Sequence, residues 1–406
     1  MDRARRLLIA SSPGERWLLG LAGERLVRVE IERLRSPDRV GEVHAARVTA
    51  IARGLGGAFV RLGDGAEAFL PAEEADPARP DGGPIRPVEA SVRKGEIVVV
   101  RIVRAAMGGK GLRVSRRSVE NVVAGASPPG SPALLAAAPP RALSFVAEEP
   151  QAEEILCDDA ALVALLKAQG SRIGDRVRHH RGPAPLLDPS LEAEVAALAE
   201  PVARLADGMA LHVAITPGAT VIDVDVTGGP GRETPWRRRE AANRAAIREA
   251  ARQIMLRNLG GVILVDPAGL PAQRGARESL VRAMREALAG DPLAPRVLGV
   301  SRAGLLEIVR PRVRPPLAEV LGSVEIRFRP SPTTEALRAL RTLWRERLAR
   351  PSAQLGLRVG QAVAEALAME GEATGFVHAR TGRPVSWRVD PALPSPAWSI
   401  EDECHG

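Results

Sequence analysis

Three apolar runs open the chain, "RRLLIA", "RWLLGLA" and "RLVRVEIERL", and the breaks between them, "SSPGE" and "GE", mark them as short β-strands. The β-like pattern continues from Gly41 to about Val119, through "GEVHAARVTAIARGLGGAFVRLGDGAEAFLPAEE" and "GEIVVVRIVRAAMGGKGLRVS". Strands of this length, with Gly-rich turns and no helical period, predict a small closed barrel of the OB type. Between Ser118 and Pro150 the alternation collapses into "AGASPPGSPALLAAAPPRALSFVAEEP", an Ala/Pro-rich stretch that reads as a linker.

Regular structure resumes at "EEILCDDAALVALLKAQ", a strand and a short helix. Ser190 then stands as an N-cap for a stripe of Leu191, Val195, Leu198, Val202 and Leu205, with Pro201 as a kink. Two strands follow, "MALHVAI" and "TVIDVDV", joined by "TPGA". The loop "TGGPGRETPW" leads into the helix "RRREAANRAAIREAARQIMLRN", whose Ile247, Ala250, Ala251 and Ile254 share one face. Asn258, Gly260 and Gly261 end it, and "GVILVD" is a buried strand. Strand, helix and strand make a βαβ unit with a parallel sheet. Beyond it, "ESLVRAMREALAG" is a helix, "PRVLGVS" a strand and "GLLEIVRPRVRPPL" a strand rich in Arg. From Ser323 the pattern gives helices around "TTEALRALRTLWRERL" and "RVGQAVAEALAME", then a hairpin, "TGFVHARTGRPVSWRVD".

Charge sharpens the picture. The 406 residues carry a net charge of +8, and the basic side chains are nearly all arginine, since lysine occurs at Lys94, Lys110 and Lys167 alone. The planar guanidinium fork suits phosphate, which makes a polyanionic partner one reading; a compositional bias that replaces Lys by Arg throughout is the other. Tyrosine is absent and aromatics make up 2%, so any base-stacking platform is small. Cys157 and Cys404 form no CxxC pair, which leaves neither a disulfide framework nor a structural zinc site. No apolar run reaches the ~20 residues of a membrane span, and "LLIA" near the N-terminus is too short for a signal sequence, so the expected location is cytoplasmic.

Candidate chemistry sits in the βαβ unit. In a strand, Asp223 and Asp225 share one face while Ile222, Val224 and Val226 take the other. Asp266 ends the strand after the crossover helix, where ligands of open α/β sheets collect. Three buried carboxylates repel one another, and a hard cation such as Mg²⁺ removes that cost. Each aspartate taken singly reads more simply as a strand end or a turn residue. In the β-rich block, Phe59 and Phe69 fall at opposite ends of a hairpin, with Lys110 on a later turn. Exposed aromatics and a cation on an OB face hold single-stranded nucleic acid; the plainer reading makes both rings core.

In this order the pieces resemble the ribonuclease E/G family of endoribonucleases. The opening strands and "VTAIARGLGGAFVRLGDGAEAFLP" look like that family's start and its S1-type RNA-binding domain; "ETPW", "AARQIMLRNLGGVILVD" and "RVLGVSRAGLLEIVRPR" look like its catalytic region. The resemblance implies an α/β fold plus a β-barrel: an S1-type OB fold (39–119) inserted into an RNase H-like sub-domain (1–38 and 150–206). After the linker at 120–149, it implies a DNase I-like α/β catalytic sub-domain (207–321) and a small α+β C-terminal domain (322–406).

It also implies Mg²⁺ bound by Asp223 and Asp266, with Asp225 orienting the attacking water at a position where the family has asparagine. A second alignment, with one residue extra before Thr227, makes Asp225 the ligand instead. Arg302 would take up developing charge, and Phe59, Phe69 and Lys110 would touch RNA. Nothing in the chain matches the family's 5′-end-sensing sub-domain or its cysteine zinc link, so a zinc-linked tetramer is not expected; a homodimer through the tail and a monomer both remain open.

The expected activity is a Mg²⁺-dependent endoribonuclease that cuts single-stranded RNA in RNA processing or decay and leaves 5′-phosphates. The rival is a non-catalytic RNA-binding protein of the same descent. A DNA-directed nuclease rests on the same carboxylates but gains nothing from the OB block.

Overall fold

The computed structural model describes residues 3–402 apart from 81, 118, 120–129, 206–207, 227–234, 270–273, 324–328 and 395. The chain forms two compact units, Met1–Val324 and Glu325–Gly406.

In the first unit the opening strands, Arg6–Ser12, Glu15–Ala22 and Arg25–Arg33, form an antiparallel meander. Arg6–Ser12 also pairs in parallel with Glu154–Cys157, which pairs with Val177–His179, so strands from two distant stretches of sequence share one sheet. Phe145, Leu7, Ile9, Leu18, Ile155 and Leu166 fill its core.

The barrel runs through Val43–Ala52, Gly57–Arg61, Glu67–Pro71, Leu112–Ser115 and Ile97–Arg104, and the pairing of its first and last strands closes it. Inward residues alternate with outward ones along each strand, and Val48, Val60, Leu70, Val100, Ile102 and Val114 pack inside. The Ala/Pro-rich stretch expected as a linker is structured from Ala133 onward. Ala133–Ala136 adds a strand to the free half of Val43–Ala52, and Arg141–Ala147 is a helix. Low-complexity composition hid both, because backbone pairing on an open strand edge needs no apolar side chain and the helix is anchored by Phe145 and Val146.

The third sheet orders its strands Val202–Arg204, Met209–Ile215, Ala219–Val226, Gly261–Asp266, Leu306–Arg310 and Arg296–Val300. The helix Pro235–Leu256 crosses between Ala219–Val226 and Gly261–Asp266, which pair in parallel as the βαβ pattern predicts. The other pairings are antiparallel, so the sheet is mixed. Two further expectations fail here. The helix expected through Leu205 spans only Pro189–Ala197, and Asp188, not Ser190, caps it by accepting the Ser190 N–H at 2.7 Å. Val202–Arg204 leaves the helical stripe because it can pair across a hairpin with Met209–Ile215, closed by the Leu205 N–H donating to the Met209 carbonyl at 2.8 Å.

One face of this sheet, with Leu211, Val213, Ile222, Val224, Ile263 and Val265, packs on Ile247, Ala250, Ala251 and Ile254 of the crossover helix. Leu280 and Met284 of the helix Arg274–Leu288 complete that layer. The aspartates occupy the opposite face.

The second unit places Pro332–Ala349, Gln361–Met369 and Gly371–Thr381 as helices around a three-stranded sheet with Leu355–Val359 at its centre. The expected hairpin is a helix and one strand: "TGFVHART" is helical, with Val377 buried, and Gly382 ends it at φ 68°. None of the described helices is long and apolar enough to cross a membrane.

Candidate functional site

Asp223 and Asp266 are register partners on adjacent parallel strands, the last pair before the strands diverge. Neighbouring strands lie about 4.8 Å apart, so the two carboxylates leave the sheet side by side. Asp225 follows on the same face, opposite Ala210 on the other neighbouring strand. All three are exposed, which corrects the expectation of buried carboxylates. Among the described residues the helices pack on the opposite face, so the acids stand exposed and their mere presence does not demand a cation. Two carboxylates held in register at strand ends could serve as an oxygen pair for a hard ion. Among the described residues no group of three or more His, Cys, Asp or Glu side chains is placed to hold a metal.

Several neighbours escaped the sequence reading. His212 is the antiparallel partner of Asp223, and Glu307 is the partner of Leu264, so both share the aspartate face. The alternation of "MALHVAI" already turns His212 outward; only sheet order brings it beside Asp223.

Asn243 is buried on the crossover helix. Its Nδ2 donates to the Ala268 carbonyl at 3.1 Å and its Oδ1 accepts the Ala268 N–H at 3.0 Å, which pins the backbone just past Asp266. A signal was present, since Asn243 is a polar residue on the apolar stripe one turn before Ile247.

Arg302 is exposed in the turn between Arg296–Val300 and Leu306–Arg310. The turn is fixed by the Ser301 N–H donating to the Leu305 carbonyl at 2.9 Å and the Leu305 N–H donating to Ser301 Oγ at 3.2 Å. Because Val265 pairs with Leu306, this turn stands at the same sheet end as Asp266. The loop with "ETPW" lies outside the described residues up to Thr234, as do the side chains of Pro235 and Trp236.

On the barrel, Phe59 and Phe69 are direct register partners, not opposite ends of a hairpin. Their rings meet edge to face with centroids 5.5 Å apart. Both are half-buried and alternate with core residues Ala58, Val60, Ala68 and Leu70, so they stand on the outer face. The Phe69 ring fills the space a Cβ on Gly57 would need, which is why the strand begins with glycine. Arg113 follows Phe69 in register, and a bulge in the partner strand sets Arg104 opposite Arg113. Lys110 is exposed in the next turn, bridged to Met107; that turn is tied down by the Gly108 N–H donating to Glu319 Oε1 at 2.8 Å.

Beneath these surfaces lies a buried ionic network. Arg141 Nη2 meets Glu30 Oε1 at 2.7 Å and Glu148 Oε2 at 2.9 Å, and Arg28 Nη1 meets Glu149 Oε1 at 2.9 Å. Burial alone would raise the Glu30 pKa, but Arg141 and Arg28 hold it down at about 2. Elsewhere Arg310 binds Asp291 at 2.6 Å and donates to Asn258 Oδ1 and the Leu259 carbonyl, tying its strand to the end of the crossover helix.

The family model of the ribonuclease E/G family matches residues 110–313, half of the chain, and therefore includes the paired aspartates and the crossover helix. The chain belongs to the ribonuclease E/G family. A model of the S1 RNA binding domain matches residues 38–117, the barrel.

Ribonuclease G of Escherichia coli K12 is 24% identical over 398 residues, covering 78% of this chain and 81% of that protein. Ribonuclease E of the same organism is 29% identical over 176 residues, 41% of this chain. The ribonuclease E/G-like chloroplastic protein of Arabidopsis thaliana is 33% identical over 146 residues, 35% of this chain. The matched part spans only 16% and 14% of the lengths of those two proteins.

Proposed function

We propose that this family member is a Mg²⁺-dependent endoribonuclease that cleaves single-stranded RNA, with Asp223 and Asp266 as the metal ligands. The observation that carries the reading is their register pairing at the strand ends, inside the region matched by the family model. A pair of carboxylates suits Mg²⁺, which takes one or two such ligands and keeps several waters. When bound, the ion supplies Lewis-acid charge at the scissile phosphate. Asp225, two residues on and on the same face, accepts a hydrogen bond from the incoming water and orients it. Arg302, in the turn at that sheet end, offsets charge on the phosphate oxygens. The Phe59–Phe69 pair and Lys110 hold RNA on the barrel by stacking and phosphate attraction. We read the two mixed sheets as RNase H-like and DNase I-like sub-domains, and the activity as RNA processing or decay in the cytoplasm that leaves 5′-phosphates.

The rival, a non-catalytic RNA-binding protein, is favoured by one feature: Asp225 adds a negative charge next to the pair and no third ligand joins them among the described residues. One experiment separates the two. Labelled single-stranded RNA is incubated with the protein in Mg²⁺ or EDTA, alongside Asp266→Asn. Cutting that needs Mg²⁺ and is lost in the variant supports the enzyme; binding without cutting, or equal cutting by the variant, defeats it.

A further inference from the structure

Three arginines meet where the barrel touches the catalytic region. Arg113 and Arg104 are register partners on adjacent barrel strands, and Arg113 is also the partner of Phe69. Arg312 arrives from the segment after Leu306–Arg310, which is joined to the barrel by the Ala105 N–H donating to the Val313 carbonyl at 2.9 Å. The ordinary place for a guanidinium is beside a carboxylate, and among the described residues only Arg113 of the three has one: its Nη2 lies 2.5 Å from Glu73 Oε1. Arg104 and Arg312 are held by backbone carbonyls, Gly111 at 3.3 Å and Gly260 at 2.9 Å. A carbonyl orients a guanidinium without neutralising it.

Two further observations show that Arg104 has no counter-ion among the described residues. The Arg104 Nε is buried and has no hydrogen-bond partner among the described residues. Burial and then the charges of Arg113 and Arg312 depress the Arg104 pKa, so Arg104 feels both neighbouring cations. The backbone is shaped to admit the third one: the Arg312 guanidinium occupies the space of a Cβ on Gly261, whose φ is +89°. An anion placed here would offset that repulsion and accept from the orphaned Arg104 Nε.

We propose that Arg104, Arg113 and Arg312 form a seat for a backbone phosphate of single-stranded RNA, next to the base stacked on Phe69. RNA is the occupant because the row Phe59, Phe69, Arg113, Arg104 runs without interruption across adjacent strands spaced about 4.8 Å apart, placing ring and cation as neighbours. The seat rests on the reading of the barrel as an RNA surface. It adds that the catalytic region, through Arg312, takes part in holding the strand.

The test is binding of a fluorescent single-stranded oligoribonucleotide as a function of salt, with thermal unfolding of each variant. Arg104→Gln and Arg312→Gln are expected to weaken binding about tenfold at low salt and to reduce the salt slope by about 0.7 per lost phosphate contact. Neither should lower the melting temperature beyond the small loss of one backbone hydrogen bond, and Arg104→Lys should keep the slope. Phe69→Ala should weaken binding and leave the slope intact.

Wild-type affinity and slope in both Gln variants, with Phe69→Ala still weakened, would overturn the seat and leave the barrel reading standing. A fall in affinity together with a large fall in melting temperature, restored in neither by Arg104→Lys, would make the arginines structural and also overturn it. Unchanged binding by Phe69→Ala with a reduced slope in the Gln variants would refute the aromatic reading and support the seat. No RNA binding by the wild type would overturn both.

Discussion

Asn243 satisfies both backbone polar groups of Ala268, donating to its carbonyl at 3.1 Å and accepting from its N–H at 3.0 Å. A buried side chain on the crossover helix thereby fixes the chain two residues past Asp266. Asn243→Leu keeps the volume and strands two backbone groups, each costing about 1–3 kcal/mol. The expected result is a lower denaturant midpoint and a cleavage rate that falls further than RNA affinity does, measured by urea unfolding and single-turnover kinetics.

In the proposed mechanism Asp225 orients the incoming water, and its variants test charge against water placement. Asp225→Asn retains a hydrogen-bonding group and should keep cleavage within about tenfold, whereas Asp225→Ala should lose about 10²-fold. Asp223→Asn should lose at least as much as Asp225→Ala and should also raise the Mg²⁺ concentration needed for half-maximal rate. Magnesium titrations of the four proteins check this; a larger loss for Asp225→Asn than for Asp223→Asn would move the ligand to Asp225.

Acid should loosen the first unit. Glu30 is held at about 2 by Arg141 and Arg28 against the push of burial, below its ordinary 4.5. A depressed carboxylate stabilises fully above its unfolded value, and that contribution is lost as pH falls from about 4.5 towards 2, amounting to about 3 kcal/mol. Glu148 is also lowered and adds in the same direction, while burial raises Glu149, which opposes it. Urea midpoints measured between pH 7 and 2 should show this decline, and Glu30→Gln should flatten it.

The Arg310–Asp291 pair is buried, with side chains 5% and 0% exposed. Asp291→Asn leaves an uncompensated guanidinium in the core and should cost about 3–5 kcal/mol, read as a drop in unfolding free energy. Replacing both residues, Asp291→Leu with Arg310→Met, should recover part of that loss.

Much of this protein is legible in its pattern of residues. Period-two alternation locates the barrel strands, and the stripe of Ile247, Ala250, Ala251 and Ile254 fixes which side of the crossover helix faces the sheet, because both signals come from the direction in which neighbouring side chains leave the backbone. Where local pattern competes with pairing, it misleads. Val202 continues a helical stripe, yet it lies in a strand that Met209–Ile215 completes. Ala133–Ala136 carries no strand signal and pairs all the same. In the second unit, "TGFVHART" reads as a hairpin arm but buries Val377 as a helix.

The candidate site divides in the same way. Alternation alone puts Asp223 and Asp225 on one face. Register is a property of two strands, and only folding sets Asp223 beside Asp266, His212 beside Asp223 and Phe59 beside Phe69. Exposure likewise depends on which face receives helices, so the acids of an apolar-looking strand stand in water. The cluster of Arg104, Arg113 and Arg312 draws on segments some two hundred residues apart. Sequence determines which side chains leave each strand together; the assembled sheets determine which of them meet.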